Sequence, residues 1–590
     1  MLKNVQKGMK RKLRFTLLQL VFVCFVICGW KMYQLTESES LWGYWTLGFL
    51  ASGWLSWLLF SVKIYVINGN HRWFYLSLLS GLLFVAGFPN SPLTPLLFFA
   101  FVPLLIIADE IRDSKVVNPR RVLMRYTFNA FVIWNIGSTW WVSNAAIFPG
   151  LIANFLNALL MCMPILLYFI LRQRLSKVLS ALAFVSLWLS WEYLHLNWEL
   201  SWPWLTLGNA FARYPSWVQW YEYTGVAGGS LWVLLMNVAI FELTKSVISV
   251  RRLILPVIMV STPLYLSFLI KLNVADYSGK SVEVCVVQPN FEPHYEKFNI
   301  PDEVQLQRFM DLSLKSIDSS TNYLVFPETS FGYCNVDNLN AYPVIQSLSG
   351  LTDSFPRLNI VSGMDLFKLY QPGPGLPKSV RKTGRGLMEI YNGAVQVGKG
   401  QSEIPVYKKG KMVPGAEAFP FRDFLGFLEP LFHRFQGTVE GLGTQPERSV
   451  LYNTDSTVAI APLICYESVY GEYCTDYVKK GAKALFIMTN DGWWDDTPGY
   501  RQHLAFASLR AIELRRAIAR SANSGSSAFI DIYGNIHQAT TYNSPAVIKD
   551  NVELREDVTF YVRFGDYIFK IAIALLLLLL IRFGVTLIKG

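Results

Sequence analysis

The strongest constraint on this chain is where its apolar residues fall. From Leu13 to Leu272, apolar stretches of membrane-spanning length alternate with short polar joints. From residue 277 to about Phe560 the chain has the polarity of an aqueous α/β protein. Ile568 to Leu587 is apolar again and includes Ile573-Ala574-Leu575-Leu576-Leu577-Leu578-Leu579-Leu580. About 20 such residues cross a bilayer core as a helix. The averages of 52% hydrophobic and 16% charged residues therefore blend two unlike parts. The pattern predicts a multi-span α-helical membrane domain with a large aqueous domain inserted before the last span. Spans are expected near 13–33, 42–66, 73–88, 93–109, 125–144, 150–171, 178–197, 226–244, 253–272 and 567–587.

The net charge of +11 raises the question of nucleic acid, but its placement points to membrane topology and no nucleic-acid partner is expected. Lys3, Lys7, Lys10, Arg11, Lys12 and Arg14 crowd the N-terminus, and no small-residue cleavage site follows the first apolar run. Further basic joints carry Arg112, Lys115, Arg120, Arg121 and Arg125, then Arg172, Arg174 and Lys177, then Lys245, Arg251 and Arg252. The joints between them, such as Thr36–Ser40 and Phe88–Pro92, carry none, and the long one after Trp198 has Arg213 alone. The alternation predicts both termini in the cytoplasm and residues 277–560 outside it. Seven cysteines do not read as a disulfide framework, because three lie inside spans and an odd total leaves one thiol unpaired. A Cys334–Cys474 pair stays open on spacing. With no CxxC pair and six dispersed histidines, neither a metal nor a cofactor is expected.

In the aqueous part, strand-like runs at Val282–Val287, Tyr323–Phe326, Asn359–Ser362, Met388–Val397, Val458–Ile464, Ala484–Met488 and Ala528–Ile532 are separated by helix-length material. Helices are expected over Asp302–Ser319 and His503–Ala519, the second ending in Arg515-Arg516-Ala517-Ile518-Ala519-Arg520. Open α/β sheets place chemistry at strand carboxyl ends. Glu328, Cys465 and Asn490-Asp491 sit at such ends, and Lys409 opens a polar segment. A thiol there becomes a nucleophile when a base takes its proton; a buried Glu can be that base, and a Lys can stabilise an oxyanion. Each also has a plainer reading: a buried inert thiol, a helix-capping Glu328, a solvated basic loop around Lys408, Lys409 and Lys411. Trp493 and Trp494 read as packing, and His503 as a satisfied surface or core histidine.

The local blocks decide between these readings. Phe326-Pro327-Glu328-Thr329-Ser330, Tyr407-Lys408-Lys409-Gly410-Lys411-Met412-Val413-Pro414 with Glu417, Ile464-Cys465-Tyr466-Glu467 and Thr489-Asn490-Asp491-Gly492-Trp493-Trp494 resemble the signature blocks of the nitrilase superfamily. With spans on both sides, the chain from about residue 75 onward resembles the apolipoprotein N-acyltransferase family. The resemblance implies an αββα-sandwich nitrilase-like domain on the outer face of a bacterial cytoplasmic membrane. It implies transfer of an acyl chain from a phospholipid, typically phosphatidylethanolamine, to the α-amine of an apolipoprotein's diacylglyceryl-cysteine. Cys465 would carry the acyl thioester, Glu328 would be the base and Lys409 the charge stabiliser, with Glu417, Tyr466 and Glu467 in support and the Tyr466 N–H a second oxyanion donor. Trp204, in Ser201-Trp202-Pro203-Trp204-Leu205, matches a block near the lipid entrance. Phe291, Tyr295 and Phe298 would form an apolar lid, Phe298 standing where the family has a tryptophan. Val413-Pro414-Gly415-Ala416-Glu417 departs from the commoner Pro-Phe-Gly-Glu, and the spans 13–33 and 42–66 are additional to the family's usual set.

The domains expected are 1–70 (two additional helices), 71–276 (the helical bundle), 277–560 (the catalytic domain) and 561–590 (the last helix). Competing readings are a membrane-tethered amidase of nitrilase type, a non-catalytic lipoprotein-binding module and a transporter. The spans weigh against the first, the intact Glu-Lys-Cys set against the second, and the lack of paired ionisable residues at mid-span beyond Glu192 against the third.

Overall fold

The structure is a computed structural model describing residues 2–67, 71–245, 247, 249–274, 279–429 and 441–589. The side chains of Lys3, Lys7, Lys10 and Arg11, and the expected boundaries at 70/71 and 276/277, lie outside the described residues. All ten expected spans are helical: α1 (Leu2–Glu37), α2 (Trp45–Tyr65), Arg72–Gly87, Thr94–Asp113, Pro119–Thr139, Ile147–Leu171, Lys177–Asn197, Tyr221–Leu243, Val250–Asn273 and Tyr567–Lys589. Among the described residues, eight are long and apolar enough to cross a membrane, so this is a multi-pass membrane protein. The other two depart from that expectation. Arg72–Gly87 has only 16 residues. Pro119–Thr139 is long enough at 21 residues but carries Arg120, Arg121, Arg125, Asn129 and Asn135. Its amides face the bundle interior, where polar groups find partners. Asn129 Nδ2 donates to Ser77 Oγ at 2.8 Å and its Oδ1 accepts from Trp54 Nε1 at 3.2 Å. Asn157 Nδ2 donates to Asn135 Oδ1 at 2.7 Å.

The aqueous part is built from two sheets that stack face to face. The first contains β1 (Ser281–Gln288), β2 (Tyr323–Val325), β3 (Phe331–Asn335), β4 (Asn359–Tyr370), β5 (Arg381–Thr383), β6 (Gly386–Gly398), β7 (Val406–Lys408) and β14 (Ala546–Glu553). Its order is β14-β1-β2-β4-β6-β5, with β3 on β4 and β7 on β6. The second contains β8 (Leu451–Tyr452), β9 (Ala459–Ile464), β10 (Ala484–Thr489), β11 (Ile518–Ala522), β12 (Ala528–Ile530) and β13 (Ile536–His537), in the order β13-β12-β11-β10-β9-β8. Strands β1, β2 and β4 run parallel, as do β9, β10 and β11. The sheets meet through contacts such as Tyr323 edge-on to Phe486, with ring centroids 5.1 Å apart. Helices Asp302–Ser313 and Pro343–Ser354 pack on the first sheet, and Gly471–Lys479 and Pro498–Leu514 lie beside the second. This is a nitrilase-like αββα sandwich.

The expected helix His503–Ala519 is cut short. It ends at Leu514 because Arg515 turns left-handed (φ +46°), and Ile518–Ala522 becomes β11. The arginines of that run are buried and partnered: Arg515 pairs with Glu222 of the bundle at 2.5 Å, and Arg516 Nε donates to Ala482 O at 2.8 Å. Through this layer the sandwich sits on the bundle's loops. Glu513 Oε1 accepts from Val226 N at 2.9 Å, Gln502 Nε2 donates to Ser138 O at 3.1 Å, and Lys411 Nζ donates to Leu196 O at 2.9 Å.

Candidate active site

Strand ends deliver the three central side chains. Glu328 follows β2, and its turn lies so close to β4 that a Cβ on Gly363 would come within 2.4 Å of Pro327 O and 2.6 Å of Glu328 Cα. Lys409 follows β7, its N–H bound to Asn392 O of β6 at 2.9 Å. Cys465 leaves β9 with φ +48°, a left-handed conformation that a non-glycine residue keeps only where its surroundings enforce it. Glu467 enforces it. Its Oε2 accepts from Ile464 N at 2.8 Å, and its Oε1 accepts from Tyr407 Oη at 2.5 Å, Tyr473 Oη at 2.6 Å and Gly410 N at 2.7 Å. One fully buried carboxylate therefore ties the Lys409 loop to the Cys465 turn.

Lys409 Nζ lies 3.1 Å from Glu328 Oε1 and 2.8 Å from Glu417 Oε1. Asn392 Nδ2 donates to the same two oxygens, at 2.7 and 3.1 Å, and Asn490 N donates to Glu328 Oε2 at 3.0 Å. Glu417 Oε2 accepts from Val413 N at 2.8 Å, so its loop keeps the carboxylate in place despite the altered residues before it. Burial alone would lower the Lys409 pKa, but Glu328, Glu417 and Cys465 outweigh it and hold the ammonium well above its ordinary range. At Cys465 burial pushes the thiol up and Glu328 adds to this, while Lys409 and Thr489 pull down; the result is well above the usual 9.0. The surroundings thus favour the thiol of Cys465 over its thiolate. Alkylation by iodoacetamide in donor-free detergent should therefore rise about tenfold per pH unit through pH 9 without a plateau. A plateau below pH 8 would show a stored thiolate instead.

Behind the sulfur lies a second buried group. Cys465 Sγ, an Asp491 oxygen and a His503 nitrogen are all within 4.8 Å of one another, a grouping that could hold a metal ion. Asp491 is already paired, however, with Arg520 Nη2 at 2.5 Å and His503 Nδ1 at 2.9 Å. Burial would raise its pKa, yet Arg520 and His503 hold it well below the usual carboxylate range. The guanidinium supplies the positive charge that a cation would otherwise bring. His503 Nε2 stands 3.2 Å from Cys465 O and 3.0 Å from Ser468 Oγ, bracing the left-handed turn.

Residues 80–239 match the family described as Apolipoprotein N-acyltransferase N-terminal domain, and residues 284–556 match Carbon-nitrogen hydrolase. The apolipoprotein N-acyltransferase of Chlorobaculum tepidum is 28% identical over 512 residues, covering 84% of this chain and 93% of that protein. Those of Geobacter metallireducens (24% identical; 84% and 92% covered) and Thermotoga maritima (25%; 86% and 94%) match at similar length. Over most of its length the chain is similar to apolipoprotein N-acyltransferases, with that family's N-terminal domain followed by a carbon-nitrogen hydrolase domain. Among solved structures, Saccharomyces cerevisiae Nit3, a member of branch 10 of the nitrilase superfamily, is 17% identical, covers 47% of this chain and 91% of its own, and has a TM-score of 0.33.

The remaining residues singled out by the apolipoprotein N-acyltransferase resemblance are placed unevenly. The Tyr466 hydroxyl donates to Ser201 O of the bundle at 2.8 Å. Trp204, expected near a lipid entrance, is 3% exposed and packs among Trp141, Trp494, Tyr466 and His503 as a floor under the site. Phe291 is not part of a lid. It lies in the sandwich core against Phe309, with the Arg308 guanidinium 4.3 Å above its ring. Tyr295 is half-buried, and only Phe298 is open, at 59% exposure, stacked on Trp493 with ring centroids 6.1 Å apart. All seven cysteines are free, Cys334 and Cys474 included.

Four contributors were not assigned to the site from the sequence. Asn392 is one of two amides, with Gln396, in the strand Gly386–Gly398, and Arg520 is the cation in Ile518–Ala522; a polar residue in a buried strand was the signal. His503 reads as a satisfied surface or core histidine; it is buried, and one of its partners is the Cys465 carbonyl. Lys297 gave no signal. It is buried, donates to Glu328 O at 3.2 Å and Thr329 Oγ1 at 2.7 Å, and burial lowers its pKa to about 8 against the pull of Asp365 and Glu328.

Proposed function

We propose that this protein moves a fatty acyl chain from a phospholipid to the α-amine of an apolipoprotein's diacylglyceryl-cysteine, through a thioester on Cys465. The observation that carries the reading is the buried Lys409–Glu328 pair, 3.1 Å apart, whose charges both act on the Cys465 thiol at the strand ends. Glu328 takes the thiol proton as sulfur attacks the ester carbonyl. Lys409 and the Tyr466 N–H, in the first turn after the strand, face the oxyanion. The C–O bond then breaks, and protonated Glu328 returns the proton to the departing lysophospholipid. The lipoprotein amine next attacks the thioester, gives its proton to Glu328, and the C–S bond breaks to restore the thiol. Glu417 and Asn392 hold the pair, and Glu467 holds the turn; these are positioning residues. No step needs a cofactor.

Both substrates are lipid-anchored, and a site held at the bilayer surface avoids extracting them, at about 0.8 kcal/mol per methylene. That favours the acyltransferase over a tethered amidase. Phosphatidylethanolamine is the donor we favour. The basic joints Arg112–Arg125, Arg172–Lys177 and Lys245–Arg252 support a cytoplasmic-membrane placement with both termini inside and the sandwich, residues 277–560, outside. Residues 1–70, 71–276 and 561–590 then form the added hairpin, the bundle and the closing helix. The test is intact-protein mass spectrometry after incubation with phosphatidylethanolamine. A fatty-acyl adduct on Cys465, discharged by a diacylglyceryl-cysteine peptide, is expected; hydrolysis of small amides with no adduct transfer would favour the amidase.

A further inference from the structure

The first 79 residues precede both matched family regions, yet the loop joining α1 to α2 reaches the catalytic domain. Gly43 N–H donates to Asp495 Oδ2 at 2.6 Å, and Asn144 Nδ2 holds Gly43 O at 3.2 Å. Beside them Tyr44 packs on Trp140, with ring centroids 5.1 Å apart. Asp495 closes the turn Asp491–Trp494, and that turn is a wall of the site. Asp491 has an oxygen within 4.8 Å of the Cys465 sulfur, and the preceding Asn490 N–H binds Glu328. Trp494 lies 5.7 Å from the His503 ring, and Trp493 stacks on Phe298 at an interplanar angle of 23°. One short turn thus touches the carboxylate, the surroundings of the sulfur, the exposed aromatic and the added hairpin.

Its last residue is strained. Asp495 has φ +61° and ψ −176°, a region that in practice only glycine occupies freely. Such a conformation persists where its neighbours hold it. Asp495 N donates to Gly492 O at 3.0 Å, Thr497 N donates to Asp495 O at 2.7 Å, and Asp496 N donates to Oδ1 at 2.6 Å. Gly43 is the partner that comes from another part of the chain. It too is left-handed (φ +55°), which lets its N–H aim at the carboxylate.

We propose that Gly43 and Asp495 form a latch by which the N-terminal hairpin keeps this wall shut over the acyl-enzyme. The proposal rests on the thioester reading above and adds a role for the hairpin: it governs how long the thioester survives water. With the latch broken the turn opens, water adds to the thioester carbonyl, and the C–S bond breaks to release a fatty acid and the free thiol. Both residues are positioning residues, since neither touches the reacting atoms.

The test uses the full-length protein in detergent with phosphatidylethanolamine carrying a labelled acyl chain and no acceptor. The burst of lysophospholipid reports acylation, and slow release of labelled fatty acid reports the leak. Asp495→Gly removes the carboxylate but suits the backbone, and Asn144→Ala removes the clamp on Gly43 O from outside the catalytic domain without altering the left-handed backbone of Gly43. Both should leave the burst intact and speed the leak, Asp495→Gly about tenfold, as expected for loss of one charge-assisted hydrogen bond, and Asn144→Ala by less. Asp495→Asn keeps an acceptor oxygen for the Gly43 N–H and should leak close to the wild type. If Asp495→Gly does not fold, Asn144→Ala carries the test alone. A wild-type leak rate in Asn144→Ala, or equal leaks in Asp495→Asn and Asp495→Gly, overturns the latch. Absence of a burst in the wild type would instead sink the thioester reading itself.

Discussion

A Cys465→Ala variant should lose acyl transfer by about 10⁵–10⁶-fold while keeping its fold, because removing the nucleophile of a covalent mechanism removes nearly all of its rate. The substitution removes one buried sulfur at the head of a turn that Glu467 and His503 continue to brace. Left-handed φ at this position is as tolerable for alanine as for cysteine, so the lost activity will not be a folding defect. The measurement is transfer of labelled acyl chain to a diacylglyceryl-cysteine peptide, with far-UV circular dichroism on the same preparation. Triacylated product at more than a trace, from a variant of native spectrum, would remove sulfur from the reaction path.

Lys409→Met should be damaging in two separable ways. The ammonium is 1% exposed and bridges Glu328 and Glu417, so its removal leaves two buried carboxylates facing each other without a counter-charge. Breaking a buried pair in this manner costs about 3–5 kcal/mol of stability. On the proposed mechanism it also removes charge beside the developing oxyanion, worth about 10²–10³-fold in kcat. Unfolding in denaturant should show the first, and acylation rates in the fraction that stays folded the second. Adding Glu417→Gln to Lys409→Met relieves the carboxylate repulsion, so it should recover part of the stability and none of the rate. Recovery of both would mean that Lys409 acts only as a structural tie.

Much of this site was legible before any coordinates, and the reason is physical. A buried parallel strand has to be apolar along its length, so the point at which Val458–Ile464 gives way to Cys465-Tyr466-Glu467 marks a strand end. The same holds for Tyr323–Phe326 before Glu328. The segregation of apolar runs likewise located the ten long helices of the membrane part. Contacts across layers were harder to see. Asn392 sits mid-strand, and nothing local says that its amide will bridge Glu328 and Glu417. Arg515, Arg516 and Arg520 read only as a basic run ending a helix, and arginine is seldom fully buried. They are buried because the bundle, β9–β10 and Asp491 supply partners that no short window contains. Phe291 suffered the opposite error: in the sequence it groups with Tyr295 and Phe298 as a lid to keep water from a thioester, but its ring closes the core.

The hydrogen bonds from the Cys465 turn and the residue after it to the bundle converge on Ser201. Tyr466 Oη and Tyr470 Oη both hydrogen-bond Ser201, through its carbonyl at 2.8 Å and its hydroxyl at 2.9 Å. Altitude is therefore built into the molecule: the sulfur cannot ride up or down on a slack tether to meet an ester group. Each lipid-borne partner must present its reactive carbon at one depth, and membranes of different thickness would be served unequally.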